Sequence, residues 1–172
     1  MLNKNKLAVK WFRSKVYSIK YPVGKKCTFE SIKLWNSPKD TVKFGNHVRV
    51  MRRTEFRALK DKPIIIGDNT SINFDCILRP NVTIGNNVAI GTGVHFISDS
   101  HEIGSSEQRA GKGVFNPIVV ENGCWIGSDV TILGNVRIGK GTIIGAGSLV
   151  NKNCEPNSLY AGVPAKLIKK LS

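Results

Sequence analysis

The sequence predicts an all-β fold, a parallel β-helix in which short strands stack coil upon coil. Aliphatic or aromatic residues recur at every sixth position, and small or β-branched residues follow four positions later. Glycine often stands directly after the first of these residues. A period of six is a multiple of the strand period of two, so both columns lie on one face of successive strands. Hexapeptide periods of this kind are typical of parallel β-helices.

The first column is apolar throughout, and we expect it to fill the interior of each coil. Its members are Ile66, Ile72, Leu78, Ile84, Ile90, Phe96, Val120, Ile126, Ile132, Ile138, Ile144 and Val150. The second column consists of Thr70, Cys76, Val82, Val88, Val94, Ser100, Cys124, Val130, Val136, Thr142, Ser148 and Cys154. Together they predict an interior that holds one large and one small side chain in each hexad.

Two further patterns fit this register. Glycine after the first column, as at Gly67, Gly85 and Gly127, predicts corners of the coil with positive φ. The four cysteines, including Cys27, fall into the small inward column, so we expect reduced thiols that pack in a core and form no disulfide.

The chain of 172 residues is predicted to form one domain in two parts. Residues 1–62 keep a ragged register and predict a basic N-terminal segment with irregular starting coils, preceded by a short basic helix. Residues 63–172 predict the regular β-helix. The hexads stop at 97–119, which predicts a protruding loop, and the amphipathic pattern over about 164–171 predicts a C-terminal helix.

The charge is concentrated in the first part of the chain. Residues 1–62 contain 17 Lys and Arg against 4 Asp and Glu, whereas residues 63–172 contain 9 against 8. Such a segment could bind nucleic acid, anionic lipid or a polyanionic substrate. The sequence has no zinc-finger spacing, RNP-type aromatic motif or basic-zipper heptad, which argues against nucleic acid. With no apolar run of about 20 residues and no secretory signal, a cytoplasmic location is expected.

The protruding loop contains His101 and Arg109. Long excursions from a compact scaffold are often functional, and a histidine held by a rigid coil is suited to act as a general base. From the periodicity alone, an ordinary surface histidine is the favoured interpretation. Since His47 and His95 are the other histidines, a zinc site like that of trimeric β-helical carbonic anhydrases is a third interpretation. Their spacing places His95 and His101 on successive faces of a coil, which disfavours a shared metal within one chain.

From about residue 64 to 171 the sequence resembles the hexapeptide-repeat acyltransferases with a left-handed parallel β-helix. Within that family it is most similar to the maltose- and galactoside-type sugar O-acetyltransferases and to polysaccharide-biosynthesis O-acetyltransferases. The motifs are NFDC at 73–76, GVHFISDSH ending at His101, VFNPI after the loop, CWIGSDVTILGNVRIG at 124–139, IIGAGSLVNK at 143–152 and AGVPAKLIKKL at 161–171. The resemblance implies a left-handed coil, acetyl-CoA as co-substrate, no metal, and a homotrimer with active sites between subunits.

The resemblance also implies roles for particular residues. It makes His101 the catalytic base that takes a proton from a sugar hydroxyl. The implied acceptor-binding residues are Asn73, Asp75, Arg109 and Trp125, although Arg109 could instead anchor the loop. The implied coenzyme A-binding residues are Ser128, Ala146, Asn151, Lys152, Lys166 and Lys169.

The start of the chain departs from this resemblance. Sugar-detoxifying members carry an acidic helical segment over the acceptor site, whereas this chain begins with a basic segment containing Trp11, Phe12 and Trp35. The difference favours a precursor of a cell-surface polysaccharide as acceptor and a peripheral contact of the basic segment with an anionic membrane. Serine acetyltransferase, amino-sugar N-acetyltransferase and a non-catalytic β-helix scaffold are the alternative functions.

Overall fold

The computed structural model of the chain describes residues 21–35 and 37–172, and all of the regular structure in these ranges is β-strand. The short basic helix predicted at the start, with Trp11 and Phe12, lies outside the described residues. Within the described ranges, no helix of the length and apolarity needed to cross a bilayer occurs. The strands are Thr28–Phe29 (β1), Lys33–Leu34 (β2), Val42–Phe44 (β3), Arg49–Val50 (β4), Glu55–Phe56 (β5), Ile64–Ile66 (β6), Ser71–Ile72 (β7), Ile77–Leu78 (β8), Val82–Ile84 (β9), Ala89–Ile90 (β10), His95–Ile97 (β11), Asp99–Ile103 (β12), Ala110–Phe115 (β13), Ile118–Val120 (β14), Trp125–Ile126 (β15), Thr131–Leu133 (β16), Val136–Ile138 (β17), Ile143–Ile144 (β18), Leu149–Val150 (β19), Ser158–Ala161 (β20) and Lys166–Lys170 (β21).

Three sheets form the sides of the coil, and successive coils supply neighbouring strands. Sheet A has the order β3-β6-β9-β14-β17, sheet B the order β1-β4-β7-β10-β15-β18-β20-β21, and sheet C the order β2-β5-β8-β11-β16-β19. Coil-to-coil pairing is parallel and in register, with Ile66 beside Ile84 and Ile126 beside Ile144. The chain is therefore a parallel β-helix of the left-handed hexapeptide type. We name its edges by the sheets that they join: A/B, B/C and C/A.

The interior is the column of residues that the period predicts. Every member of the first column is at most 3% exposed, so each side chain contributes about 1.5–3 kcal/mol of transfer free energy. The second column is also buried except at Ser100, for which the prediction is wrong. The chain leaves the coil two residues earlier, at Ser98, which is buried and donates its hydroxyl hydrogen to the Pro80 carbonyl.

The corner glycines have a different cause from the one predicted. Gly67, Gly85 and Gly127 do not adopt positive φ; that conformation occurs two residues later, as at Asp129, where φ is 56°. A Cβ atom on Gly127 would lie 2.6 Å from the backbone nitrogen of Ala146 in the next coil. Glycine is required there because adjacent coils approach too closely for any side chain.

The coil continues through the segment predicted to be irregular. An isolated parallel bridge joins Val23 to Phe44. Strand β3 pairs in parallel with β6, and this places Phe44 beside Ile66. Phe44 and Phe56 are buried, with ring centroids 5.4 Å apart. These coils are longer than the later ones: Phe44 pairs with Ile66, 22 residues on, whereas Ile66 pairs with Ile84, 18 residues on.

The C-terminal helix predicted over about 164–171 is wrong. Residues 166–170 form β21, which runs antiparallel to β20 with Leu159 beside Lys169. An unpaired last strand of sheet B would leave a row of backbone donors and acceptors without partners, so pairing outweighs the amphipathic pattern.

The inward cysteines pack as small apolar groups. Cys76, Cys124 and Cys154 are buried and all four described cysteines are free thiols. Burial raises the pKa of Cys76 and of Cys154 to about 11. A thiol with such a pKa remains protonated and unreactive near neutral pH.

Candidate active site

His101 stands on a β-hairpin that projects from the C/A edge. The segment predicted as a loop is formed by β12 and β13, which pair antiparallel with His101 beside Gly113. The His101 side chain is exposed, and within the described residues no group hydrogen-bonds to its imidazole. Strand pairing holds the backbone of His101 while leaving both ring nitrogens accessible to a substrate, as a general base requires.

Arg109 lies at the far end of this hairpin. Its guanidinium donates to the Gly104 carbonyl at 3.3 Å, and the backbone N–H of Gly104 donates to the Arg109 carbonyl at 3.0 Å. These contacts close the turn between β12 and β13. These contacts are compatible with the anchoring role of Arg109, and both that role and the binding of an acceptor stay predictions.

The B/C edge carries four of the other predicted residues in three coils, and the coil of β10 lies between the first two of these. Asn73 and Asp75 follow β7, Ser128 follows β15, and Ala146 follows β18. Ser128 and Ala146 occupy equivalent positions, because the next residue in the upper coil, Gly147, donates its N–H to the Ser128 carbonyl at 2.8 Å. This edge is therefore a continuous line that runs from the possible acceptor residues to the possible coenzyme residues.

Two backbone N–H groups on this edge are open. No described group accepts a hydrogen bond from the N–H of Ser128 or of Ala146. At the equivalent position on the A/B edge, the N–H of Asp68 donates to Asn86 Oδ1 at 2.8 Å, and the N–H of Asn86 donates to Asn122 Oδ1 at 2.8 Å. Side chains thus cap the N–H groups of Asp68 and Asn86 on the A/B edge, whereas no described side chain caps those of Ser128 and Ala146 on the B/C edge. Open backbone donors of this kind are suited to bind a carbonyl oxygen or an oxyanion.

Asp75 does not present a free carboxylate. Arg53, in the preceding coil, donates Nε to Oδ1 at 2.5 Å and Nη2 to Oδ2 at 2.6 Å. The hydrogen bond from Arg53 is the main reason that the pKa of Asp75 lies below its usual value. The pair is bidentate, so Asp75 fixes the Arg53 guanidinium on this edge. An acceptor on this edge would meet an ion pair in place of the single acid expected from the sequence.

The remaining predicted residues are spread over two parts of the coil. Trp125 is 58% exposed on the outer side of sheet B, and Lys166 and Lys169 are exposed on the adjacent β21. Lys166 pairs with Ala161, close to the B/C edge, whereas Lys169 pairs with Leu159, further along the strand. Asn151 and Lys152 instead follow β19 on the C/A edge.

One chain therefore does not bring the predicted site together. The C/A edge holds His101 with Asn151 and Lys152, and the B/C edge holds Asn73 with Ser128. Sheet C separates the two edges. If the site is a single one, its two halves must come from two copies of the chain.

The histidines do not form a metal centre in the described chain. His95 faces outward on sheet C between Ile77 and Thr131, and His101 lies on the hairpin. Among residues 21–35 and 37–172, no three His, Cys, Asp or Glu side chains are grouped so that they could hold a metal ion.

Sequence reasoning missed three residues of the B/C edge. Besides Arg53, these are Arg52 and Phe74, whose guanidinium carbon and ring centroid are 5.3 Å apart. Arg53 lies 22 residues before Asp75, and this spacing is not a multiple of six. The sequence signal that could have aligned Arg53 with Asp75 is a longer coil before Ile66.

The described geometry agrees with comparisons to known proteins. The family model of bacterial transferase hexapeptide repeats (six repeats) matches residues 63–97 and 117–152. Galactoside O-acetyltransferase of Escherichia coli (strain K12) is 38% identical over 111 residues, covering 63% of this chain and 55% of that protein. A Staphylococcus aureus (strain COL) protein, provisionally named an acetyltransferase, is 35% identical over 149 residues, covering 73% of this chain and 75% of that protein.

The chain is also similar to a solved structure of a protein bound to acetyl coenzyme A. The hexapeptide-repeat acetyltransferase of Vibrio cholerae O1 biovar eltor, complexed with acetyl coenzyme A, is 26% identical. It matches with a TM-score of 0.65 over 100% of this chain and 80% of that one.

The family match leaves out 98–116, which is the segment that forms the hairpin of His101. The chain spans about half the length of the first curated relatives that it matches, 44% and 55% of those proteins. The S. aureus relative is covered over three quarters of its length. The parallel coils, the hexad register and these matches together place the chain in the bacterial transferase hexapeptide family.

Proposed function

We propose that the chain is an acetyl-CoA-dependent O-acetyltransferase that acts on a hydroxyl of a sugar. The observation that carries this proposal is the B/C edge, where the N–H groups of Ser128 and Ala146 stay open while those of Asp68 and Asn86 at equivalent positions on the A/B edge are capped. The names of the E. coli and V. cholerae relatives support acetyl transfer with this coenzyme.

The groups on the two edges supply the parts of a direct transfer. The imidazole of His101 takes the proton of the sugar hydroxyl as its oxygen attacks the thioester carbonyl carbon of acetyl-CoA. The carbonyl oxygen becomes an oxyanion, which the N–H of Ser128 stabilises. The C–S bond then breaks, and the coenzyme A thiolate takes the proton from the imidazolium. Lys152, Lys166 and Lys169 meet the phosphates of the coenzyme as point charges.

A coenzyme A release assay tests the reaction. Acetyl-CoA would be supplied with free sugars, nucleotide-linked sugars, serine and amino sugars in separate reactions, and free thiol would be measured. Turnover on hydroxyl sugars but not on amino groups is expected. Turnover on amino sugars or serine alone would replace the proposal with N-acetyl transfer or serine acetylation. No turnover, together with no acetyl-CoA binding, would favour the non-catalytic scaffold.

The division of the site between two edges supports a homotrimer with each active site between subunits. Hence two inactive variants should restore each other. His101→Ala and Asn73→Ala subunits, unfolded together and refolded as a mixture, are expected to regain about a quarter of the wild-type rate, because that share of interfaces pairs two unaltered halves. Each variant refolded alone is the control. A mixture as inactive as its components would contradict a shared site.

The acceptor that we favour is a precursor of a cell-surface polysaccharide, met at an anionic membrane surface. The excess of Lys and Arg in residues 1–62 supports this proposal. Binding to anionic vesicles at low salt, and its loss at high salt, would test the membrane contact.

A further inference from the structure

A cleft of about 360 Å³ opens on the outer side of sheet C, apart from the residues assigned above. It is lined by Trp35, Glu55, Arg57, Ile77, Leu78 and Arg79. This volume is within the range of sites that bind small molecules. Unlike most such sites, the cleft combines one indole with two guanidinium groups.

Three of these side chains form a line across successive coils. Leu34 is in register with Phe56, and Phe56 with Leu78, so the residues that follow them, Trp35, Arg57 and Arg79, stack at the spacing of neighbouring strands, about 4.8 Å. The order along the line is an aromatic ring, a first guanidinium and a second guanidinium.

The Trp35 ring is held in place although it is half exposed. Its Nε1 donates to Glu55 Oε2 at 3.0 Å, and the Lys33 ammonium lies 5.5 Å from the ring centroid. Lys33 also donates to Glu55 Oε1 at 2.9 Å, so the charge of Glu55 is already neutralised. The side chain of Trp35 is 51% exposed and thus offers a fixed surface on which a planar ligand can stack.

The two guanidinium groups, unlike Lys33 and Trp35, make no hydrogen bond to a carboxylate in the described chain. Nε of Arg79 is buried and makes no hydrogen bond in the described chain; its nearest carboxylate oxygen, Asp99 Oδ1, is 3.8 Å away. Arg57 is exposed, and no described carboxylate pairs with it. Arg57 has no carboxylate partner among the described residues, and Arg79 has only the long ion pair with Asp99, so guanidiniums at this spacing are suited to bind adjacent phosphate groups.

The line ends at the foot of the hairpin that carries His101. Asp99, the ionic neighbour of Arg79, begins β12, and His101 lies two residues further on the same face of that strand. Two residues of strand span about 7 Å, which is the size of a sugar ring. A ligand that follows the line from Trp35 therefore ends within reach of the candidate base.

We propose that this cleft binds the nucleoside diphosphate of a nucleotide-linked sugar, with the base on Trp35, the diphosphate on Arg57 and Arg79, and the sugar directed towards His101. The inference rests on the proposed function for the chemistry performed on the sugar, but not for the binding. It narrows the acceptor to a sugar activated through a diphosphate.

Binding of nucleotides without any acetyl transfer tests the proposal. The dissociation constants of UDP, GDP, CDP and dTDP would be measured by calorimetry on the full chain, with and without saturating coenzyme A. At least one is expected to bind equally in both conditions. Arg57→Ala and Arg79→Ala should each weaken it about tenfold or more. Trp35→Ala should weaken the nucleotide but leave the affinity for inorganic pyrophosphate unchanged.

Lys43→Ala is the matched control, because it removes one positive charge from the outer side of sheet A, away from the cleft. It should change the affinity less than twofold. Arg79→Lys tests whether the planar guanidinium is needed in addition to its charge. The lysine keeps the positive charge but cannot donate two parallel hydrogen bonds to a phosphate, so nucleotide binding should still weaken.

Three outcomes would overturn the proposal: no nucleotide binds, the cleft variants bind nucleotide as the wild type does, or coenzyme A displaces the nucleotide, which would show that the cleft binds coenzyme A. A failed proposed function gives a different result. Nucleotide would then bind through Trp35, Arg57 and Arg79 while the nucleotide-linked sugar accepts no acetyl group. Conversely, acetyl transfer to free sugars without nucleotide binding would support the proposed function and refute the nucleotide site.

Discussion

Replacement of His101 by alanine is expected to lower the rate of acetyl transfer by about 10²- to 10⁴-fold, the range typical for loss of a general base. The imidazole is exposed on a strand whose backbone is held by β13, so its removal should leave the fold and coenzyme A binding intact. The measurement is the steady-state rate of thiol release, with the dissociation constant of coenzyme A measured in parallel. The loss should appear in kcat rather than in coenzyme affinity.

His47→Asn is a suitable control for this variant. His47 has a φ of 57° at the A/B edge, a conformation that asparagine tolerates well, and it lies on a different edge from His101. Its rate should equal that of the wild type. A His101→Ala protein that retains most of its activity would show that another group takes the proton, and would return His101 to an ordinary surface histidine.

Replacement of Gly127 by alanine is expected to destabilise the fold by about 1–3 kcal/mol, the cost typical of overpacking. The new Cβ atom would lie 2.6 Å from the Ala146 nitrogen and 2.8 Å from the Ile144 carbonyl oxygen, and because both are backbone atoms of the next coil they have little room to adjust. The free energy of unfolding in denaturant is the measurement. Because the displaced backbone includes Ala146, coenzyme A binding should weaken as well.

Gly113→Ala is the matched control for this substitution. Gly113 lies opposite His101 on the hairpin, and a Cβ atom there would meet nothing within 4 Å. Its free energy of unfolding should differ from the wild type by about 0.5 kcal/mol or less. If Gly127→Ala is as stable as Gly113→Ala, the close approach of adjacent coils does not explain the corner glycines.

The interior of the fold could be predicted from the sequence because one rule governs it. Ile66, Ile126 and Val150 obey the same period of six, and each is buried where that period places it. The rule says nothing of contacts that break the period. Thus it missed the pair of Arg53 with Asp75, which arises from a coil of 22 residues.

Local patterns failed where pairing between distant strands decided the outcome. The segment over about 164–171 has an amphipathic pattern compatible with a helix, yet residues 166–170 pair with the exposed edge of β20 and form β21. Similarly, Ser100 fits the hexad register but leaves it, because β12 finds a partner in β13 outside the coil. The candidate site depended on resemblance for His101, whereas only the structure shows that no described group accepts a hydrogen bond from the N–H of Ser128 or of Ala146.

The antiparallel β21 also affects how copies of the chain can meet. It covers the growing end of sheet B and sets Lys166, Lys169 and Lys170 along the outermost strand. A second coil stacked on that end would have to pair with a strand running the wrong way and bring like charges together. Growth into a fibre along the axis of the coil is thereby disfavoured. If copies of the chain associate, β21 therefore directs their contacts to the flanks of the coil, which favours a closed assembly over an endless one.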